Sequence, residues 1–157
     1  MPKFPDNNDP ENWHRYFAVE CNNRGWALVE NPNRSLAEAD EMLHAGHAAA
    51  YHWSKVGNDL NNVRAQTLLA EIHALRGFGA SAVSLSTLAR DYFLAHDTED
   101  WEIAFAHTIH AHACFAANLP QEHRKSFAAA KDAIASIQDD ENRNIVLKTF
   151  NQVPEPS

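Results

Sequence analysis

The sequence has few of the residues that interrupt or cross-link a chain. Only five of its 157 residues are glycine, and two are cysteine. Alanine is abundant and runs of β-branched residues are rare, which favours helix over sheet. No stretch shows the period of two that a half-buried strand requires. The composition therefore predicts an all-α protein.

Other missing features bear on location and partners. No apolar run is long enough to span a membrane, and the first residues, MPKFPDNNDP, lack the apolar core of a signal peptide. Cys21 and Cys114 are far apart and form no C-x-x-C pair, which favours a reduced state over a disulfide. A formal net charge of −8 argues against nucleic acid or an anionic membrane as a partner. We therefore expect a cytoplasmic protein with neither of these partners.

Periodic apolar segments alternate with capping and breaking signals along the chain. The clearest is SLAEADEMLHAGHAAAYHWSKVG, in which Ser35 and Glu38 form a capping box and Gly57 ends the helix. Further helices are expected to begin near Pro10, Asp59, Ser81, Trp101 and Gln121, with a short one over 142–150. Short connections predict antiparallel hairpins. The expected organisation is an irregular arm over 1–9, a single helical domain over 10–150 and a loose tail over 151–157. One contiguous core is expected to hold Leu68, Leu69, Ile72, Leu88, Phe105, Phe115 and Ile134.

Positions in the third and fourth helices resemble the tetratricopeptide repeat. The pattern of large, small, ring, turn glycine and two small residues is matched by Leu69, Ala70, His73, Gly77, Ala82 and Ala89. Forty-one residues later, a looser match that lacks the ring and the glycine runs through His110, Ala111, Cys114, Asn118, His123 and Ala130. The segment HAGHAAAYHWSKVGNDLNNVRAQTLLAEIHAL is also similar to short bacterial proteins with tetratricopeptide-like folds and no assigned role. The resemblance implies antiparallel helical hairpins stacked as a short α-α superhelix, whose concave face binds peptide segments in that superfamily.

A binding surface is the first functional hypothesis. Trp53 beside Tyr51 and His52 is the aromatic group expected at such a surface, and His73 occupies the ring position of the repeat pattern. We predict a non-enzymatic, tetratricopeptide-like binding or scaffold protein without a cofactor, which recognises a peptide segment or a partner subunit. Homodimerisation through alanine-rich helix faces is a further possibility.

The alternative is a small metal-binding protein or a metal-dependent hydrolase. Two sets of donor residues, each spaced by three and four along one helix, are the candidates: Asp40, His44 and His47 in the second helix, and His107, His110 and Cys114 in the fifth. Carboxylate, imidazole and thiolate groups suit a divalent metal such as zinc. The sequence contains no H-E-x-x-H, G-x-S-x-G, phosphate-loop or G-x-G-x-x-G motif, which favours the non-enzymatic hypothesis.

Overall fold

The computed structural model describes residues 3–5 and 8–157. These residues form seven α-helices and no strand: α1 Pro10–Val29, α2 Leu36–Val56, α3 Asp59–Leu75, α4 Gly79–Ala95, α5 Asp100–Ala116, α6 Pro120–Ala135 and α7 Asp140–Phe150. This confirms the predicted all-α fold. The expected irregular arm over 1–9 lies partly outside the described residues, and its described part has no regular secondary structure. In the part of the chain that the structure describes, no helix is both long and apolar enough to cross a membrane.

Helix starts follow the capping signals in the sequence. The backbone N–H of Glu38 donates to Ser35 Oγ at 3.2 Å, and the N–H of Ser35 donates to Glu38 Oε2 at 2.8 Å, so the capping box of α2 is confirmed. Asn58 and Asn61 make the same reciprocal pair of bonds at the start of α3, at 2.9 and 3.1 Å. Asp9 caps α1 through its carboxylate. Each cap satisfies backbone donors that a helix start leaves unpaired.

The chain divides into two compact units, residues 1–69 and 70–157, and α3 contributes to both. The expectation of a single helical domain stays a prediction. In the first unit α1 packs along α2. The two helices are antiparallel because the start of α1 meets the end of α2: the Arg15 guanidinium donates to the Val56 carbonyl at 3.5 Å. Further along the pair, Arg24 makes two hydrogen bonds to the Glu41 carboxylate, at 2.6 and 2.7 Å.

In the second unit, α5 packs against α4, α6 and α7. Two turns of this unit, 41 residues apart in the sequence, have the same backbone geometry. Gly77 and Asn118 both have positive φ, +77° and +57°. In each turn the next residue's N–H donates to the carbonyl five residues back, at 2.8 Å to His73 and 2.9 Å to Cys114. Asn118 can adopt this conformation because asparagine tolerates the left-handed region better than most residues.

The predicted core needs two corrections. Five of its members are buried: Leu68, Leu69, Ile72, Phe105 and Ile134. The prediction is wrong for Leu88 and Phe115, which are 59% and 47% exposed. The buried face of α4 is instead lined mainly by small residues, Gly79, Ala82, Ser86, Ala89 and Phe93. Leu88 points roughly a third of a turn away from that face, as the helical repeat of 3.6 residues requires. Phe115 lies in the last turn of α5, where its ring contacts His123.

The C-terminal residues are attached to the second unit. Val153 is only 6% exposed. The Arg124 guanidinium donates to the Ser157 carbonyl at 3.4 Å. These contacts involve the segment over 151–157, and the expectation of a loose tail there stays a prediction.

Candidate functional site

Seven rings connect at one end of the α1–α2 hairpin, and this group is termed the aromatic surface. Its members are Phe4, Trp13, His14, Tyr16, Phe17, Tyr51 and His52. Neighbouring ring centroids lie 5.1–6.3 Å apart, within the range of favourable aromatic contacts. Three of the rings remain largely open to solvent: Phe4 is 65% exposed, Tyr51 56% and Phe17 40%.

The local sequence explains why these rings meet. Trp13 stands three residues before Tyr16 and four before Phe17, so all three project from one side of α1. The antiparallel packing of the hairpin brings the start of α1 beside Tyr51 and His52 at the end of α2. Exposed apolar surface of this kind is normally removed from water in a monomer, and a contiguous patch marks a binding surface.

Positive charge lies at the edge of the aromatic surface. Lys55 Nζ is 5.0 Å from the centre of the Tyr51 ring, a cation–π contact. Arg15 is exposed in the same hairpin end, where its guanidinium reaches the carbonyl of Val56. Both cations are well placed for the C-terminus of α2, whose dipole favours positive charge. They also make this edge attractive to a carboxylate.

Two histidines lie within the aromatic surface. His14 Nδ1 and His52 Nδ1 are 2.8 Å apart, a hydrogen bond in which one ring donates an N–H and the other accepts. Both side chains are half-buried. Burial and the neighbouring His14 lower the pKa of His52. At neutral pH, therefore, at least the accepting ring is uncharged.

The four residues predicted to bind a partner belong to both units, three to the first and one to the second. Tyr51 and His52 belong to the aromatic surface. Trp53 is half-buried, and its ring lies near the backbone of Gly57 at the end of α2. His73 is buried in the second unit, where its Nδ1 bonds Ser81 Oγ at 2.6 Å and its ring meets Phe78 edge-on. Sequence reasoning missed the α1 side of the surface, although the run WHRYF carries the signal in its density of rings.

The candidate metal ligands are placed as follows. Asp40, His44 and His47 are exposed along α2, whereas His107 is half-buried and both His110 and Cys114 are buried in α5. The first set belongs to the first unit and the second set to the second unit. Among the described side chains, no group of three or more His, Cys, Asp or Glu residues is arranged to hold a metal ion.

His110 joins two of its neighbours in a hydrogen-bonded chain. Its Nδ1 is 2.9 Å from Ser86 Oγ, and its Nε2 is 3.5 Å from Cys114 Sγ. Burial, with a smaller contribution from Arg90, lowers the pKa of His110 to about 4. Burial also raises the pKa of the Cys114 thiol. These hydrogen-bonded side chains therefore include a neutral imidazole and a protonated thiol, whereas a cysteine nucleophile requires a thiolate.

A second buried polar pair lies in the same unit. His112 is buried, with 5% of its surface exposed. Its Nδ1 is 2.8 Å from Glu71 Oε1. Glu71 is fully buried, and its Oε2 has no hydrogen-bond partner among the described residues. The pair is 41 residues apart in sequence, so no local motif could have revealed it.

Comparison with known proteins gives no relative. No family model, no curated protein and no solved structure matches this chain. Its function is therefore inferred from the arrangement of its side chains.

Proposed function

We propose that this chain is a non-enzymatic binding or scaffold protein of tetratricopeptide-like type, which holds a peptide segment on the aromatic surface. The observation that carries the proposal is the exposure of connected rings at one end of the α1–α2 hairpin. Each square ångström of apolar surface removed from water contributes roughly 25 cal/mol. Rings such as Phe17 and Tyr51 are not buried by folding, so their burial by a ligand would stabilise the complex.

The repeat-like features of the second unit support the tetratricopeptide-like part of the proposal. Its two left-handed turns, at Gly77 and Asn118, have matching backbone hydrogen bonds at a 41-residue spacing. Small residues of the repeat pattern are fully buried in both copies: Ala70, Ala82, Ala111 and Ala130 are each 0% exposed. Small side chains at such positions let helices approach closely, as a stack of hairpins requires.

The chemistry of the surface suggests which peptides it takes. Phe4, from the segment before α1, rests on Trp13 and Tyr16 with ring centroids 6.3 and 5.3 Å away. The surface thus accommodates a phenyl ring that a proline, Pro5, follows in the chain. Lys55 and Arg15 at its edge favour carboxylates. We therefore propose as ligand an extended peptide that combines an aromatic side chain with acidic ones.

The test is fluorescence polarisation with a labelled acidic decapeptide that contains one Phe-Pro step. The matched control peptides replace Phe by Ala, or each acidic residue by Lys. Saturable binding should weaken about tenfold or more in the Phe17→Ala and Tyr51→Ala proteins, because truncating an aromatic anchor commonly costs more than about 1 kcal/mol. The control protein is Leu94→Ala, which alters an apolar side chain that is 61% exposed on α4.

Two results would refute the proposal. One is the lack of saturable binding of the Phe-Pro peptide to the unaltered protein. The other is an equal loss of affinity in Leu94→Ala, which would indicate unspecific adhesion to exposed apolar groups. The lysine-containing peptide is expected to bind more weakly than the acidic one. If this difference in affinity disappears in high salt, it reflects the charges of Lys55 and Arg15.

A further inference from the structure

The spacing of the two histidines in the hairpin suits a second kind of interaction besides a hydrogen bond. His14 comes from α1 and His52 from α2, and their Nδ1 atoms are 2.8 Å apart. The rings are tilted by 50°, with centroids 5.1 Å apart. Two nitrogen lone pairs share a single proton at this point, since one ring must donate and the other accept. Imidazole nitrogens are also the commonest protein ligands of transition metals.

We propose that His14 and His52 form a binding site for Cu(II), in which the metal replaces the shared proton. Two nitrogens at right angles around a metal about 2.0 Å away lie about 2.8 Å apart, whereas tetrahedral ligands would lie about 3.3 Å apart. The observed separation matches neighbouring corners of a square plane. That geometry is typical of Cu(II) and Ni(II) rather than zinc, and Cu(II) forms the stronger complexes of the two.

Only side-chain rotation is needed to turn the hydrogen bond into a metal site. In the hydrogen bond the two nitrogens face each other, while in a square plane each metal–nitrogen bond lies roughly 45° from the line that joins them. The α1–α2 packing already fixes the separation of the nitrogens. Both rings are half-buried, so each has a solvent-facing side, and water can fill the remaining metal positions. Tyr51 and Phe17 contact the rings at centroid distances of 5.3–6.0 Å.

The charges around the pair set the conditions for binding. A metal requires neutral imidazoles. Burial and the neighbouring His14 lower the pKa of His52, so that this ring remains available to the metal under mildly acidic conditions. The cations at this end of the hairpin, Arg15 on α1 and Lys55 on α2, oppose a further positive charge. Affinity is therefore expected to fall in acid, where the imidazoles take up protons, and to rise with ionic strength.

The experiment is titration of tag-free protein with CuCl₂, followed by quenching of tryptophan fluorescence and by the visible absorption of Cu(II). Trp13 lies in the aromatic surface and reports on the site. One equivalent should bind in the tightest step, and this step should be lost in His14→Gln and in His52→Gln. The matched control is the double variant His44→Gln, His47→Gln, which removes two exposed histidines of α2 and should bind as the unaltered protein does.

Proton NMR of the unaltered protein gives a measurement that does not depend on the variants folding. Substoichiometric Cu(II) should broaden the ring signals of His14 and His52 before those of His44 and His47. Broadening that begins at the exposed pair would overturn the proposal. It would also be overturned if the tight step survived in both single variants or disappeared in the control. The outcome is independent of peptide binding, because Cu(II) is titrated without a peptide.

Discussion

Gly79 opens α4 at a point where the second unit leaves no room for a side chain. A Cβ atom at this position would lie 2.5 Å from the carbonyl oxygen of Ala116 and 2.5 Å from the Cα atom of Ala117. Both neighbours are backbone atoms at the end of α5, so no rotamer change can relieve the overlap. The Gly79→Ala substitution therefore tests how closely α4 and α5 pack.

The magnitude follows from two opposing terms. Alanine in place of glycine within a helix stabilises by about 0.5–1 kcal/mol. Overpacking of a tight contact costs typically about 1–3 kcal/mol. Restoring ordinary contact, which begins at 3.4 Å, from a distance of 2.5 Å would shift the helix end by about 0.9 Å. The cost therefore lies at the upper end of its range, and we expect a net destabilisation of about 2 kcal/mol.

The assay is urea denaturation followed by far-ultraviolet circular dichroism. Gly77→Asn is the matched control, because Gly77 has positive φ but open space around it, and Asn118 already adopts that conformation in the chain. Its free energy of unfolding should fall by less than that of Gly79→Ala, because asparagine adopts the left-handed conformation with less strain than most residues. If Gly79→Ala proved as stable as the unaltered protein or more so, helix propensity alone would determine the change in the free energy of unfolding. The close packing of α4 on α5 would then be refuted.

Two further predictions concern the second unit. Burial lowers the pKa of His110 to about 4. Between pH 6.5 and 4, therefore, the unfolded state binds a proton at this residue and the folded state does not. The free energy of unfolding should fall by up to about 3 kcal/mol as the pH is lowered across this window. Denaturation at several pH values should show a shallower fall in His110→Gln, and an unaltered fall in His44→Gln; equal slopes in all three would contradict the assignment. Val153→Ala should cost about 1–2 kcal/mol in the same assay, because two buried methyl groups are lost, whereas an unchanged midpoint would mean that the tail is loose after all.

The sequence was sufficient wherever the deciding residues are neighbours in the chain. The capping box of Ser35 and Glu38 lies within four residues and forms as predicted. In such cases the relevant chemistry is local backbone geometry or the size of one side chain. A single sequence displays both directly.

The sequence was insufficient where packing between helices determines which residues are buried and which side chains meet. Leu88 fits the apolar period of α4, yet the closest packing selects the face with the small residues Ala82 and Ala89. The contact of His14 with His52 joins positions 38 residues apart, and its existence depends on the register of the hairpin. Spacing along one helix carries no information about that register. For the same reason, reasoning from single helices gave two histidine stripes and missed the pair that the hairpin forms.

The distribution of polar and aromatic groups separates stability from binding in this chain. Burying a polar group costs about 1–3 kcal/mol unless it is hydrogen-bonded. In the second unit Ser86 is hydrogen-bonded to His110 and His112 to Glu71, and each pair links two helices. Tyr51 in the first unit is 56% exposed, so a polar replacement forfeits little of the burial that stabilises the fold. On the proposed function the same replacement removes an anchor for the peptide. A residue whose loss leaves the unfolding free energy nearly unchanged and yet abolishes binding is what distinguishes a binding surface from a poorly covered core.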